Sequence, residues 1–258
     1  MNAFDGLRRE LDLWAAQGRV ATLWWRDDDA SADGPALRRL LDLAAGEGVA
    51  VALAVIPAEL HDSLPARLDS FAGEPPAAVL QHGIAHRNRA PAGVKKCEFP
   101  PGLPRAALLA ELAAARQRLA TAFGARFAPV LVPPWNRIDA SLAADLPRAG
   151  LGGLSAMWAR RAPLAAPGVL RVNAHCDPLH WRGGRGFVGD YRACGMLLRH
   201  LVARRSGLRD ADEPTGLLSH HRDMDDASWD FCRRLIVATR RHPAVRWRHP
   251  LPVWRGAA

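Results

Sequence analysis

Apolar positions along the chain switch between two periods, and the switching predicts helices and buried strands in turn. Leu7, Leu11 and Trp14 recur at helical spacing, which predicts an amphipathic helix over Asp5 to Gln17, stopped by Gly18. The run Arg19 to Trp25 is rich in strand formers. Pro35 opens a second helix through Leu37, Leu40, Leu41 and Ala44 to Gly46. Val49 to Ile56 is continuously apolar, as in a strand buried on both faces. Residues 57–76 read as irregular helix and loop, and 77–81 as a short strand. Residues 87–103 predict a long loop, of a kind compact domains keep for function. Pro104 to Phe123 is the clearest helix, with Leu108, Leu112, Leu119 and Phe123 on one side. Pro129 to Val132 reads as a buried strand, followed by a helix capped by Asp139 or Ser141. Two weak strands are expected in Leu151 to Trp158 and Gly168 to Val172. A turn with Gly183, Gly184 and Gly186 leads to a helix over Tyr191 to Arg204. Strand Thr215 to Ser219, helix Ser228 to Arg241 and strand Val245 to Trp247 complete the chain.

Strands alternating with helices predict a parallel sheet with helical crossovers. No linker or repeat divides the sequence, so the expectation is one α/β domain over residues 1–258, closed as a barrel. At 258 residues and 49% hydrophobic the chain can bury a sizeable core. No glycine-rich phosphate loop is present, which removes dinucleotide and nucleoside-triphosphate folds. The net charge is +9, yet the arginines are spread without a basic stripe interleaved with aromatics, so no nucleic-acid partner is expected. Cys97, Cys176, Cys194 and Cys232 form no Cys-x-x-Cys pair and fit reduced thiols in a cytoplasmic protein. The first residues carry charges in place of an apolar leader, and no apolar run reaches the ~18–20 residues of a membrane span.

Candidate chemistry gathers at strand ends. Asp27-Asp28-Asp29, His82 to His86, Pro133-Pro134-Trp135, Asn173 to Asp177 and Ser219-His220-His221 each follow a predicted strand. In a parallel barrel these ends meet on one face. A helical turn starting at His82 would bring the rings of His82 and His86 to one side. Two histidines and an aspartate make a compact metal site that leaves positions open for water and substrate. A neighbouring aspartate supplies a base, and a histidine from another strand end an acid for a leaving amine. The set suits hydrolysis of an acyl bond.

At these residues the sequence resembles the polysaccharide deacetylases, the NodB-homology carbohydrate esterases. Five motifs occur in family order: Arg26-Asp27-Asp28-Asp29, His82 to His86, Pro133-Pro134-Trp135, Asp177 to Trp181 and Leu218-Ser219-His220. The resemblance implies a distorted (β/α)7-type barrel. It implies a metal-dependent carbohydrate deacetylase, a hydrolase of linear amides that removes an acyl group, N-acetyl foremost, from a sugar or glycoconjugate. It further implies a divalent ion, zinc ahead of cobalt, nickel or iron, held by Asp29, His82 and His86. Asp28 would be the general base and His220 the general acid. A second frame, with Asp27 as base and Asp28 as ligand, stays open, and His221 rivals His220. The N–H of Trp135, the first amide after two prolines, would donate to the oxyanion.

Arg26, Asp27, Asn88, Pro134, Asn136, Arg137, His175, Asp177, Trp181 and His221 are expected around the substrate or behind the ligands. Val132 stands where the family carries an arginine that pairs with the catalytic acid, so Arg26 or Arg137 is expected to take that place. Asn88 reads equally as a turn residue, and His175 and Asp177 also read as loop caps. Trp24 and Trp25 are expected in the core, Trp135 and Trp181 against a sugar face. The alternative is a catalytically silent glycan-binding protein on the same barrel.

Overall fold

The computed structural model describes residues 2–71, 77–181 and 184–254. In chain order, α1 (Ala3–Ala16) leads into β1 (Ala21–Ala30), α2 (Pro35–Glu47), β2 (Ala52–Val55), α3 (Ser63–Ser70) and β3 (Ala78–His82). A long loop reaches α4 (Arg105–Phe123) and β4 (Phe127–Val132). The short strands β5 (Gly153–Leu154), β6 (Leu164–Ala166), β7 (Val169–Arg171), β8 (Leu179–His180) and β9 (Gly186–Phe187) follow. Then come α5 (Asp190–Arg205), β10 (Thr215–Ser219), α6 (Asp226–Arg240), β11 (Val245–Trp247) and α7 (Pro250–Val253).

The main sheet runs β10-β1-β2-β3-β4-β5-β7-β6, with β11 paired to the start of β1. Every pairing is parallel except β6 with β7. Beyond β7 the chain stays extended and meets β10: Cys176 bridges Leu217, His175 N donates to Gly216 O, and Leu218 N donates to Cys176 O. This narrow seam joins the two ends of the row. Seven strand positions (β1, β2, β3, β4, β5, β7, β10) thus form a distorted ring. At the seam Gly216 has no side chain because one would meet Trp24 Nε1 at 2.6 Å and Asn173 O at 2.7 Å.

Strand alternation sorts β1 into two faces. Trp24 packs inside the ring with Ala52, Ala54, Ala78, Leu80, Val130, Val132 and Val172, closed from below by Trp254. Leu23 and Trp25 pack outward beneath the helices, with Leu7, Leu11, Leu40, Leu201 and Phe231. Alanines at the facing positions leave room for the large Trp24. The same alternation sends Arg26 and Asp28 inward above Trp24, and Asp27 outward. All three are buried.

Element types follow the sequence pattern closely, with instructive exceptions. β1 runs five residues past the predicted end at Trp25, because the three aspartates find partners at the top of the ring. Residues 83–86 are a bend, not the helical turn expected after His82, with Gly83 at φ +63° and His86 at φ +53°. The segment 140–149 is a 3-10 helix, capped by Asp139 accepting from Ser141 N. Helix α3 lies inside the stretch read as irregular, whose last residues, 72–76, fall outside the described ones, as does Gly183 of the expected glycine turn. No helix among the described residues is long and apolar enough to cross a membrane.

Candidate active site

Strand ends β1, β3, β4 and β10 converge at the top of the ring and divide the three aspartates among three partners. Asp27 accepts from Ser219 Oγ and from His221 N (3.0 Å), and its Oδ1 meets His221 Nδ1. Asp28 is gripped by Arg26, with Nε 2.8 Å from Oδ1 and Nη2 3.1 Å from Oδ2. Asp29 turns to the histidines: its Oδ1 lies 3.1 Å from His82 Nε2 and 3.4 Å from His86 Nε2. Plain alternation would send Asp29 the way of Asp27. A register shift between β1 and β2, together with φ +71° at Asp29, re-aims it. Among the described residues, four of the five non-glycine residues with positive φ are Asp29, His86, Trp135 and Asn136, so backbone strain is concentrated at this site.

The donor set fits a metal ion, and a proton position decides it. His82 Nδ1 lies 3.0 Å from Val132 O. A carbonyl can only accept, so Nδ1 carries a proton, and in the neutral ring Nε2 presents its lone pair. That lone pair faces Asp29 Oδ1, a buried oxygen with no hydrogen-bond donor. With the ring neutral, acceptor faces acceptor at 3.1 Å, an opposition that a divalent ion would relieve. Two imidazoles and one carboxylate are a donor set suited to zinc and neighbouring divalent metals. Burial pushes the Asp29 carboxyl up, but the imidazoles of His82, His220 and His86 outweigh it and hold Asp29 below the ordinary aspartate range. Burial likewise opposes charge on His82, and Asp28 and Asp29 overcome it, raising His82.

Around this triad stand a second aspartate with its arginine, a histidine and two indoles. Arg26 crosses the ring from β1 to donate to Ser155 Oγ (2.7 Å) and Asn136 Oδ1 (2.7 Å), which orients the Asp28 carboxylate from behind. Of the two arginines expected beside the aspartates, Arg26 is the one that contacts Asp28. Arg137 does not: its guanidinium donates to Lys96 O. His220 Nδ1 stands 4.0 Å from Asp177 Oδ1, and Trp181 lies edge-on to the His220 ring at 4.6 Å. Asp177 Oδ2 accepts from Trp181 Nε1, which holds the exposed indole beside the His220 ring. Burial raises the Asp177 carboxyl against the pull of His220. Trp135, set in the left-handed region by the buried Pro134 before it, packs on His86 at 4.5 Å.

Two expected site residues lie elsewhere. Asn88 shapes its own loop, its Oδ1 accepting from Ala90 N and Cys97 N. His175 is buried at the seam, stacked on His200 with centroids 3.4 Å apart, and both Nε2 atoms stand 3.5 Å from Glu213 Oε2. This second histidine–carboxylate group looks like the first, yet its protons sit differently. Gly216 N donates to His175 Nδ1 (2.9 Å), so Nε2 carries the proton and points it at Glu213. The carboxylate also accepts from Arg160 N and Asn173 N. It is a proton-filled clamp across the seam.

Neither a family model nor a curated protein sequence matches the chain. Solved structures do. A protein of Mycobacterium smegmatis described as a polysaccharide deacetylase superposes with TM-score 0.62 at 13% identity, over 93% of this chain and 91% of that one. One of Pseudomonas aeruginosa PAO1, described the same way, gives 0.57 at 12% identity over 99% and 93%. A family 4 acetyl xylan esterase from Clostridium thermocellum, solved with a cobalt ion, gives 0.54 at 12% identity over 91% and 90%. The chain has the polysaccharide deacetylase fold. Within that fold, the residues that carry the sequence resemblance are those that meet at the top of the ring.

Sequence reasoning missed two carboxylates that organise the deacetylase-like site and its barrel, Glu98 and Glu213. Both act largely on backbone amides, and a main-chain donor leaves no residue type to read. The only hint for Glu98 was its place at the end of a loop long enough to serve function.

Proposed function

We propose that the chain is a polysaccharide deacetylase family member that hydrolyses an acyl group, N-acetyl foremost, from a sugar or glycoconjugate with the help of a divalent metal. The observation that carries this reading is the buried lone-pair opposition of Asp29 Oδ1 and His82 Nε2, with His86 Nε2 beside it. Asp29, His82 and His86 would hold the ion, zinc foremost. When bound, it would polarise the acyl carbonyl and acidify a water at the site.

Asp28 takes the proton from the attacking water, held in place by Arg26. The Trp135 amide donates to the developing oxyanion, a contribution of ~3 kcal/mol in comparable sites. His220 hands its proton to the leaving amine, steered by Asp177. Trp181, 46% exposed, offers a ring face to the sugar. Arg26 on Asp28 supplies the pairing whose apparent loss favoured a catalytically silent protein, so turnover is the better reading. The four cysteines are free and buried, which accords with a reducing cytoplasm.

Metal analysis of the purified protein beside Asp29→Ala and His82→Ala, with acetate release from N-acetylated sugars, tests this. About one divalent ion per chain, lost in both variants together with acetate release, supports it. A wild-type protein that takes up no divalent ion after reconstitution overturns it.

A further inference from the structure

Glu98 lies outside every motif of the site and is fully buried. Its carboxylate accepts three main-chain N–H groups from the segment between the two histidines and just beyond: Ile84 on Oε2 at 3.0 Å, Ala85 on Oε1 at 2.8 Å and Arg87 on Oε1 at 3.3 Å. The segment is closed from the other side by Ile84 O, which accepts from Ala58 N. Gly83 is packed so tightly that an added Cβ would lie 2.0 Å from Glu98 Oε2 and 2.7 Å from the Pro134 ring. The bend therefore leaves β3 with a left-handed Gly83 and reaches a left-handed His86 while wrapped around one anion.

Strand β3 fixes His82 through the Val132 carbonyl, but no strand fixes His86. Its backbone is in a left-handed conformation that a non-glycine residue keeps only where the surroundings enforce it. The amides on either side of His86, those of Ala85 and Arg87, both point at Glu98. Loop 87–97 folds back so that Glu98 arrives under the bend, with Arg89 N donating to Cys97 O and Cys97 N to Asn88 Oδ1. The loop is thus the stem that delivers an anion beneath the bend.

We infer that Glu98 is a positioning residue for the metal site: its carboxylate, gathering the amides of Ile84, Ala85 and Arg87, sets the backbone from which His86 reaches Asp29 and the ion. The inference rests on the metal reading of Asp29, His82 and His86. A carboxylate is required because an amide side chain can accept only through its oxygen. In Glu98→Gln the amide nitrogen would face either Ile84 N–H or the pair from Ala85 and Arg87.

The test titrates zinc alone into metal-stripped full-length protein against a chelating indicator, for wild type, Glu98→Gln and Glu98→Asp. Hydrogen exchange of residues 83–87 is followed in the same metal-free samples. Outer partners of ligands typically matter by 10- to 100-fold in affinity, and a loss of that size is expected for Glu98→Gln. Exchange across the bend should be faster there, and the urea midpoint of the metal-free protein should fall as well, because a buried amide nitrogen would face a main-chain N–H. Glu98→Asp keeps the charge and should recover part of the affinity. Equal zinc affinity in Glu98→Gln and wild type overturns the inference and leaves the metal site standing. A wild type that binds no zinc overturns the metal reading itself, and the inference with it.

Discussion

Acid should open the barrel at its seam, through the clamp formed by His175, His200 and Glu213. Burial pushes the Glu213 carboxyl up, but the facing imidazoles outweigh it and hold it at about 2, against 4.5 ordinarily. Burial drives His175 down to about 4 from 6.5, against the pull of Glu213. Both values are depressed on folding, so both give stability that is present at neutral pH and lost as pH falls. Between pH 6.5 and 4 the unfolded chain takes up a proton on His175 that the folded chain refuses. Between 4.5 and 2 it does the same at Glu213. Lowering a carboxyl from 4.5 to about 2 is worth about 3 kcal/mol. The histidine and carboxylate values describe one contact, so they are not added. Glu213→Gln keeps the shape and removes the charge, leaving the Arg160 and Asn173 amides and the His175 Nε2 proton facing a neutral amide. It should cost about 3 kcal/mol at pH 7, in line with stripping one partner from a buried pair. Urea denaturation of wild type and variant from pH 7 to pH 3 is the assay. The gap between them should be constant above about pH 4.5 and close below it. No gap at pH 7, or an undiminished gap at pH 3, refutes this account of the seam. So does zinc stabilisation that survives His82→Ala and disappears in Glu213→Gln, since that would make the clamp a metal site.

The catalytic top of the ring yields three further expectations. Asp28→Asn should keep zinc, measured by elemental analysis, and lose roughly 10²- to 10⁴-fold in acetate release; full turnover would remove Asp28 from the base role. Arg26→Ala leaves the Asp28 carboxylate buried without its partner and should destabilise by about 3–5 kcal/mol in urea, with turnover falling as well. Gly83→Ala forces a Cβ onto Glu98 Oε2 and should lose zinc affinity at least as severely as Glu98→Gln; an unaffected titration would show that the bend is softer than its packing implies.

The order of strands, the parallel ring and the face that carries chemistry were legible because each rests on residue type and period. Trp24, Arg26 and Asp28 share a face by alternation alone. What alternation misplaces is Asp29, and only a register shift and a positive φ, neither encoded by a glycine, bring it to the histidines. The helical turn expected after His82 failed for a related reason: three amides there are consumed by a distant carboxylate and cannot close a turn among themselves. Strands β6, β8 and β9, two or three residues long, carry no period to detect and exist through pairing with neighbours. His175 was expected in the pocket because it follows a strand. The chain stays extended past β7 to meet β10, and the side chain turns into the seam.

The two histidine–carboxylate groups show why residue type alone does not name a metal site. Each brings two imidazoles and one acid to within ligand distance, and each has Nε2 atoms aimed at the same oxygen. What separates them is a backbone group on the far side of the ring. Behind His82 stands a carbonyl, which takes the Nδ1 proton and leaves Nε2 bare toward Asp29. Behind His175 stands an amide, which takes the Nδ1 lone pair and leaves Nε2 protonated toward Glu213. A divalent ion at the second group would have to displace that proton. It would also have to sit beside the buried guanidinium of Arg204, whose charge already presses on His175 and His200. The His175 proton and the Arg204 charge both oppose a divalent ion at the second group, so zinc should select the first by a wide margin although both satisfy the same count of donors.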